Sequence, residues 1–312
     1  MLPKFTAYIL LTTILILTSC KQRQEVITVF HAGSLSVPLL DIAKAYESTH
    51  PDVKIQLEGA GSLTCIRKIT ELNKACDVLA VADYALIDQL MIPEYTTFNI
   101  LFAGNELAIG YLPGSKWETQ LTTDNWHEIL LKDDLHYGRS NPNHDPSGYR
   151  TEILAGLAEE KLQLPGFRKN LLSKDQKFIR PKGTELLPLL ETGAIDFVIH
   201  YRSVLTQHKL GMLLLADSLN LSNPEHDTWY ASVCTEVDGT SRLERITKCG
   251  EAMVYGICLP HNGNNPAGAK QFLQFVLTRG KEILEHNGQP SIKPVLSPKS
   301  IIEPNWYSTL TQ

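Results

Sequence analysis

Two short runs set a glycine beside a serine where a strand hands over to a helix. In Phe30-His31-Ala32-Gly33-Ser34-Leu35-Ser36-Val37-Pro38, Gly33 can take unusual dihedrals and Pro38 suits a first helical turn. Ser34 is left with a free N–H and a hydroxyl. Glu58-Gly59-Ala60-Gly61-Ser62-Leu63 repeats the arrangement, with Ser62 at the helix entrance. Amides and hydroxyls at a helix N-terminus are donors without acceptors, which suits an anion. The other use of each serine is as a plain N-cap with no ligand.

Two further turns carry polar groups. One is the loop from Gly138 to Arg150, which includes Asp145-Pro146-Ser147 and leads into a helix. It is also readable as a solvated connection. The other is His200-Tyr201-Arg202-Ser203, after an apolar strand, where the Tyr201 hydroxyl could project into a cleft or its ring could simply pack. For an enzyme, His31, His144, His200 and the cysteines are the available bases and nucleophiles. No local signature marks a Ser-His-Asp or Cys-His arrangement, and 10 histidines in 312 residues bring some near any cleft.

The elements that must position these turns alternate in the manner of an α/β fold. Strands are predicted at 26–30, 53–57 and 77–81, with helices over Leu39 to Tyr46, 63–72 and 84–91. Short βα connections favour a parallel sheet, and the two serine turns then lie at carboxyl ends of adjacent strands, facing one crevice. A second series starts at Asn105-Glu106-Leu107 and continues through helices at 126–131, 148–161, 184–191 and 203–208 and a strand at 195–200. Asn125 and Glu128 can form a capping box for the first of these helices. Two strands meeting near Asp238-Gly239 lead into a strand at 253–259 and a periodic helix at 267–277. The economical arrangement is two α/β lobes with the chain passing between them more than once.

Composition narrows the function. A net charge of −5 with scattered Lys and Arg offers no basic stripe for nucleic acid. Anion binding through backbone amides needs no excess of positive charge. At the N-terminus, Lys4 precedes an uncharged stretch from Phe5 to Ser19 that ends in Leu17-Thr18-Ser19-Cys20. That is the pattern of a lipoprotein signal, residues 1–19, with Cys20 acylated and residues 20–25 a tether. The stretch is too short and too rich in Thr and Ser for a membrane span. The expected location is the cell envelope, lipid-anchored, periplasmic or on the outer face of the membrane. Five other cysteines match no CxxC spacing, so a zinc site is not expected. Cys234 and Cys249 flank the Asp238-Gly239 turn and either face each other across a hairpin or serve as small buried apolar residues.

The run from Phe30 to Pro38, the run from Gly138 to Arg150, Tyr201-Arg202-Ser203-Val204 and Val254-Tyr255-Gly256 resemble the tungstate/molybdate-binding proteins of ABC importers, the WtpA branch of the ModA-like family. The similarity covers about Val26 to Pro294. It implies a type II periplasmic-binding-protein fold, with lobe I at 26–103 plus 252–312 and lobe II at 104–251. It also implies a monomer without a cofactor, which passes a molybdate or tungstate ion to an ABC-importer permease. Matched motif by motif, the ligand contacts fall on Gly33, Ser34, Ser62, Asp145, Pro146, Ser147 and Tyr201. The family completes an expanded shell around the metal of the oxyanion with two carboxylates. Asp145 matches the first, Gly183 stands where the second is expected, and Glu185 is the nearby acid that could compensate. Sulfate or phosphate is the alternative oxyanion.

Overall fold

A computed structural model describes residues 24–239, 243–298 and 307; the proposed signal and Cys20 lie outside them. Among the described residues, no helix is long and apolar enough to cross a membrane.

Two sheets organise the molecule. The first takes β1 (Glu25–Ala32), β2 (Val53–Ala60), β3 (Val78–Val81), β4 (Asn99–Gly104), β12 (Val254–Cys258) and β13 (Ser291–Ser297), in the order β13-β4-β12-β3-β1-β2. The second takes β5 (Leu107–Tyr111), β6 (Tyr137–Ser140), β7 (Ile179–Arg180), β8 (Phe197–Tyr201) and β9 (Gly211–Leu214), in the order β7-β6-β8-β5-β9. Helices cover the sheets, so their central strands are apolar on both faces. Ile27, Val29 and all of β3 are buried on one side, and all of β8 on the other.

The chain leaves the first sheet at Gly104, enters the second at Leu107, and returns through β12. These crossings correct the expectation of simple parallel sheets. β1 pairs in parallel with β2 and β3, but β12, arriving from the other side, runs antiparallel to β3 and β4. β5 likewise runs antiparallel to β8 and β9.

The helices that matter for the site are α1 (Ser36–Thr49), α2 (Ser62–Thr70), α3 (Tyr84–Leu90), α4 (Pro146–Lys161) and α5 (Arg202–Gln207). The expected capping box at Trp126 does not form. Asn125 Oδ1 instead accepts from Thr122 N and its Nδ2 donates to Gln120 O, so the side chain closes the preceding turn.

A hairpin of β10 (Cys234–Asp238) and β11 (Arg245–Cys249) is closed by a Cys234–Cys249 disulfide, which decides between the two uses of those cysteines. Cys65, Cys76 and Cys258 are buried thiols. Burial pushes the Cys65 thiol up to about 12, leaving it protonated and unreactive. The hairpin tip is held by Arg67 of α2. Its Nη1 donates to Asn143 O (2.8 Å), its Nη2 to Asp238 O (3.1 Å) and its Nε to Gly239 O (3.2 Å). One buried side chain thus ties the first lobe to two loops of the second.

Candidate functional site in the cleft

Ser34 lies in a 3-10 turn, Gly33–Leu35, directly after β1, and Ser62 is the first residue of α2. Neither side chain caps its helix. Ser34 Oγ accepts from the Tyr255 hydroxyl at 2.9 Å, and Ser62 Oγ accepts from Ala82 N at 3.1 Å. A hydroxyl whose oxygen already accepts keeps its own proton for another partner. Both serines are therefore oriented donors. Tyr255 is itself fixed by Asn105 Nδ2 (2.7 Å), which also donates to Ser203 Oγ (2.6 Å), and Gln289 Nε2 holds Ser34 O at 2.8 Å.

On the facing side, Asp145 caps α4. Its Oδ1 accepts from Ser147 N (3.0 Å) and Ser147 Oγ (3.1 Å), and its Oδ2 accepts from Gly183 N (2.9 Å). Pro146 follows in the first helical turn, where a missing N–H costs nothing. Burial pushes the Asp145 carboxyl up from its ordinary value, against the opposing pull of the Gly183 and Ser147 donors. Ser147 Oγ also pairs with Ser140 Oγ.

Tyr201 ends β8, and its hydroxyl accepts from Arg150 Nη1 at 2.9 Å. Burial drives the phenol well above its ordinary value, so Tyr201 too keeps a proton to donate. The same Arg150 nitrogen reaches Ala82 O in the first lobe at 2.7 Å. The neighbouring His200 accepts from Tyr201 N at its Nδ1 (2.7 Å), while its Nε2 is buried without a partner among the described residues.

The lobes meet closely at these turns. A Cβ added to Gly61 would lie 2.0 Å from His144 O, and one on Gly33 would lie 2.9 Å from Lys182 Cγ. The turns bearing Ser34 and Ser62 therefore abut the segments bearing Gly183 and Asp145. A Cβ on Gly183 would come within 2.8 Å of His200 Nε2 and 3.1 Å of Ser147 Oγ. The imidazole occupies the space that an acidic side chain at 183 would need. Glu185, by contrast with the buried Asp145, is exposed. Among the described residues, no group of three or more His, Cys, Asp or Glu is placed to hold a metal ion.

A second polar cluster crosses the lobes beside the first. Asp83 caps α3, takes Lys248 Nζ at 2.8 Å and pairs with the Tyr149 hydroxyl. Burial acts to raise the Asp83 carboxyl, but Lys248 and Arg150 outweigh it and hold it below its ordinary value. Glu251 stands next to this pair, 3.7 Å from Lys248, and burial with the Asp83 charge raises it to about 7. Arg150, Tyr255, Asp83 and Lys248 were not read as site residues. Their partners are remote in sequence, Tyr255 and Ser34 being 221 positions apart, so even the runs that contain Arg150 and Tyr255 give no sign of these contacts.

The profile of the bacterial extracellular solute-binding proteins matches residues 27–289. The chain belongs to that family. A solute-binding protein of Petrotoga mobilis is 44% identical over 270 residues, covering 86% of this chain and 84% of the relative. The molybdate/tungstate-binding protein WtpA of Pyrococcus abyssi is 35% identical over 305 residues, covering 89% and 88%. The periplasmic molybdate-binding protein of Azotobacter vinelandii shares the fold, with a TM-score of 0.61 at 14% identity over 84% of this chain and 98% of that one. The two lobes are those of the periplasmic solute-binding proteins, as the sequence implies, and the relatives are solute-binding proteins rather than enzymes.

Proposed function

We propose that this solute-binding protein captures a tetrahedral dianion, molybdate or tungstate, between its lobes and presents it to an ABC-importer permease. The observation that carries this reading is the shared polarity of Ser34, Ser62 and Tyr201. Each hydroxyl oxygen accepts from a neighbouring protein group, so each proton is left to donate. A fully ionised oxyanion has only acceptor oxygens and matches such a set. The likeness to WtpA supports the choice of molybdate or tungstate. Because the donors sit on both lobes, the ion favours the closed form by its differential affinity. The working lobes are 26–103 with 252–312 and 104–251.

Asp145 is the group that separates oxyanions. A carboxylate facing an anion is unfavourable unless it reaches an electrophilic metal centre, which molybdate and tungstate offer and sulfate does not. The exposed position of Glu185 and the bare Gly183 favour a second reading, a sulfate-type ion held by hydrogen bonds alone. Calorimetric titration with tungstate, molybdate and sulfate decides. Tight binding of the first two with weak sulfate supports the proposal, and preferential sulfate binding replaces it with the second reading. We also propose that Cys20 carries the lipid anchor; incorporation of a clickable fatty acid should vanish in Cys20→Ala, and persistent labelling would refute it.

A further inference from the structure

His200 lies at the end of β8 with 2% of its surface exposed, and its two ring nitrogens differ in kind. Nδ1 accepts the Tyr201 backbone N–H at 2.7 Å. An acceptor nitrogen carries no proton, so in the neutral ring the proton sits on Nε2. Burial lowers the imidazole to about 3, and the ring is neutral at physiological pH. The Nε2–H is thus a donor with a fixed position, and it is buried with no acceptor among the described residues.

A buried donor left unsatisfied costs about 1–3 kcal/mol. The direction of this one is informative. The Nε2 edge of the ring faces the bare Cα of Gly183 and lies beside Ser147 Oγ. Gly183 donates its amide to Asp145, so the unpaired donor is aimed at the segment that carries the candidate carboxylate. A Cβ at 183 would collide with Nε2 at 2.8 Å, so only glycine lets the donor edge of the ring lie against this segment. The Ser147 hydroxyl is already committed to Asp145 and Ser140. The missing partner is therefore an acceptor from outside the chain.

We propose that His200 Nε2–H donates to an oxygen of the bound oxyanion and is a specificity-determining contact of this site. The inference rests on the cleft being the oxyanion site. A neutral imidazole donor selects ligands whose oxygen on that side is unprotonated. It adds no charge, so the discrimination comes from hydrogen-bond direction and not from attraction. With Ser34, Ser62 and Tyr201 donating to the other oxygens, the P–OH of monohydrogen phosphate finds no acceptor in any orientation, so that ion is disfavoured against tungstate, molybdate and sulfate.

The test begins with calorimetry on wild type using tungstate, molybdate, sulfate and phosphate, the tightest of which becomes the probe. His200→Phe removes the donor, and His200→Gln keeps an amide N–H in its place. Loss of a hydrogen bond to a charged group predicts a Kd weakened about ten- to a hundredfold in His200→Phe. His200→Gln should recover most of that loss. A readout on unaltered protein guards against a folding defect: in 15N-histidine-labelled wild type, the His200 Nε2–H resonance should move on saturation with the probe. An unmoved resonance, or an unchanged Kd in His200→Phe, overturns the inference while leaving tungstate or molybdate binding intact. If sulfate alone binds, the molybdate/tungstate reading fails and the His200 contact is judged with sulfate. If no anion in the panel binds, both fail.

Discussion

Two buried polar clusters lie where the lobes meet, and they differ in completeness. Around Asp83, the carboxylate is matched by Lys248, Arg150 and Tyr149, and its pKa is depressed accordingly. Around Asp145, the carboxylate meets backbone amides and Ser147, its pKa is raised, and among the described residues it has no cation in contact and the nearby His200 donor has no acceptor. A finished cluster contributes to the closed form whether or not a ligand is present. An unfinished one gains only when something enters. On the proposed function, the two clusters separate holding the lobes together from recognising the solute.

Removing a partner from the finished cluster should have the largest effect. Lys248→Met leaves the buried Asp83 carboxylate short of its main cation, and breaking a buried pair in this way costs about 3–5 kcal/mol. Denaturant unfolding should show a loss of that order. A change below about 1 kcal/mol would mean that Arg150 alone suffices and that the cluster is not the brace described.

Ser34→Ala and Ser62→Ala should each weaken oxyanion binding by about 1.5–3 kcal/mol, ten- to a hundredfold in Kd by calorimetry, and each also strands a buried protein donor at a cost of about 1–3 kcal/mol in unfolding. Comparable destabilisation without loss of affinity would make the serines structural, because both accept from protein donors.

Asp145→Asn tests the recognition side by a ratio. The amide keeps an acceptor for Ser147 N but presents NH2 to Gly183 N–H, so some stability is lost whichever oxyanion binds. Comparing tungstate with sulfate in the same variant cancels that cost. If Asp145 reaches the metal centre, the preference for tungstate should fall by about tenfold or more, roughly the worth of one charge-assisted contact. An unchanged ratio would leave Asp145 as a cap.

The smallest effect concerns pH. Glu251 has a folded-state pKa raised to about 7, so folding favours its protonated form. Its contribution is fully present below the ordinary carboxylate range and is lost as pH rises to about 7. Thermal melts should show wild type falling across that window more steeply than Glu251→Gln, with the two curves parallel above it. Equal slopes would place Glu251 outside the Asp83 cluster.

How legible all this was in the sequence follows from the range of each interaction. The βα turns with Ser34 and Ser62, the hairpin around Asp238-Gly239 and the main helices are encoded by neighbours a few positions apart and stand where the spacing predicts, while the Cys234–Cys249 bond is one of two uses that the spacing leaves open. β4, β6, β7, β9 and β13 were not read. β7 is only two residues long, and β13 pairs with β4 across a register shift, so neither carries a periodic signal of its own. In the site, Gly183 was legible as a departure and Glu185 as its remedy, but the exposure of Glu185 depends on how the 3-10 turn Gly183–Leu186 docks. His200 was legible only as one histidine among ten. Its unpaired nitrogen exists because the Tyr201 amide takes the other one, a choice set by the bend from β8 into α5.

The Arg67 clasp carries a consequence in time. Three carbonyls from two separate loops of the second lobe converge on one guanidinium of the first, and opening the cleft must release all of them together. Such a clasp acts on the escape of a captured ion more than on its arrival, because arrival occurs while the clasp is undone. Arg67→Ala is then expected to shorten the residence time of the solute, measured by stopped-flow release, and to leave its capture rate nearly unchanged. A receptor at the membrane that pries the hairpin tip from Arg67 would shorten that time at the place where the cargo is needed.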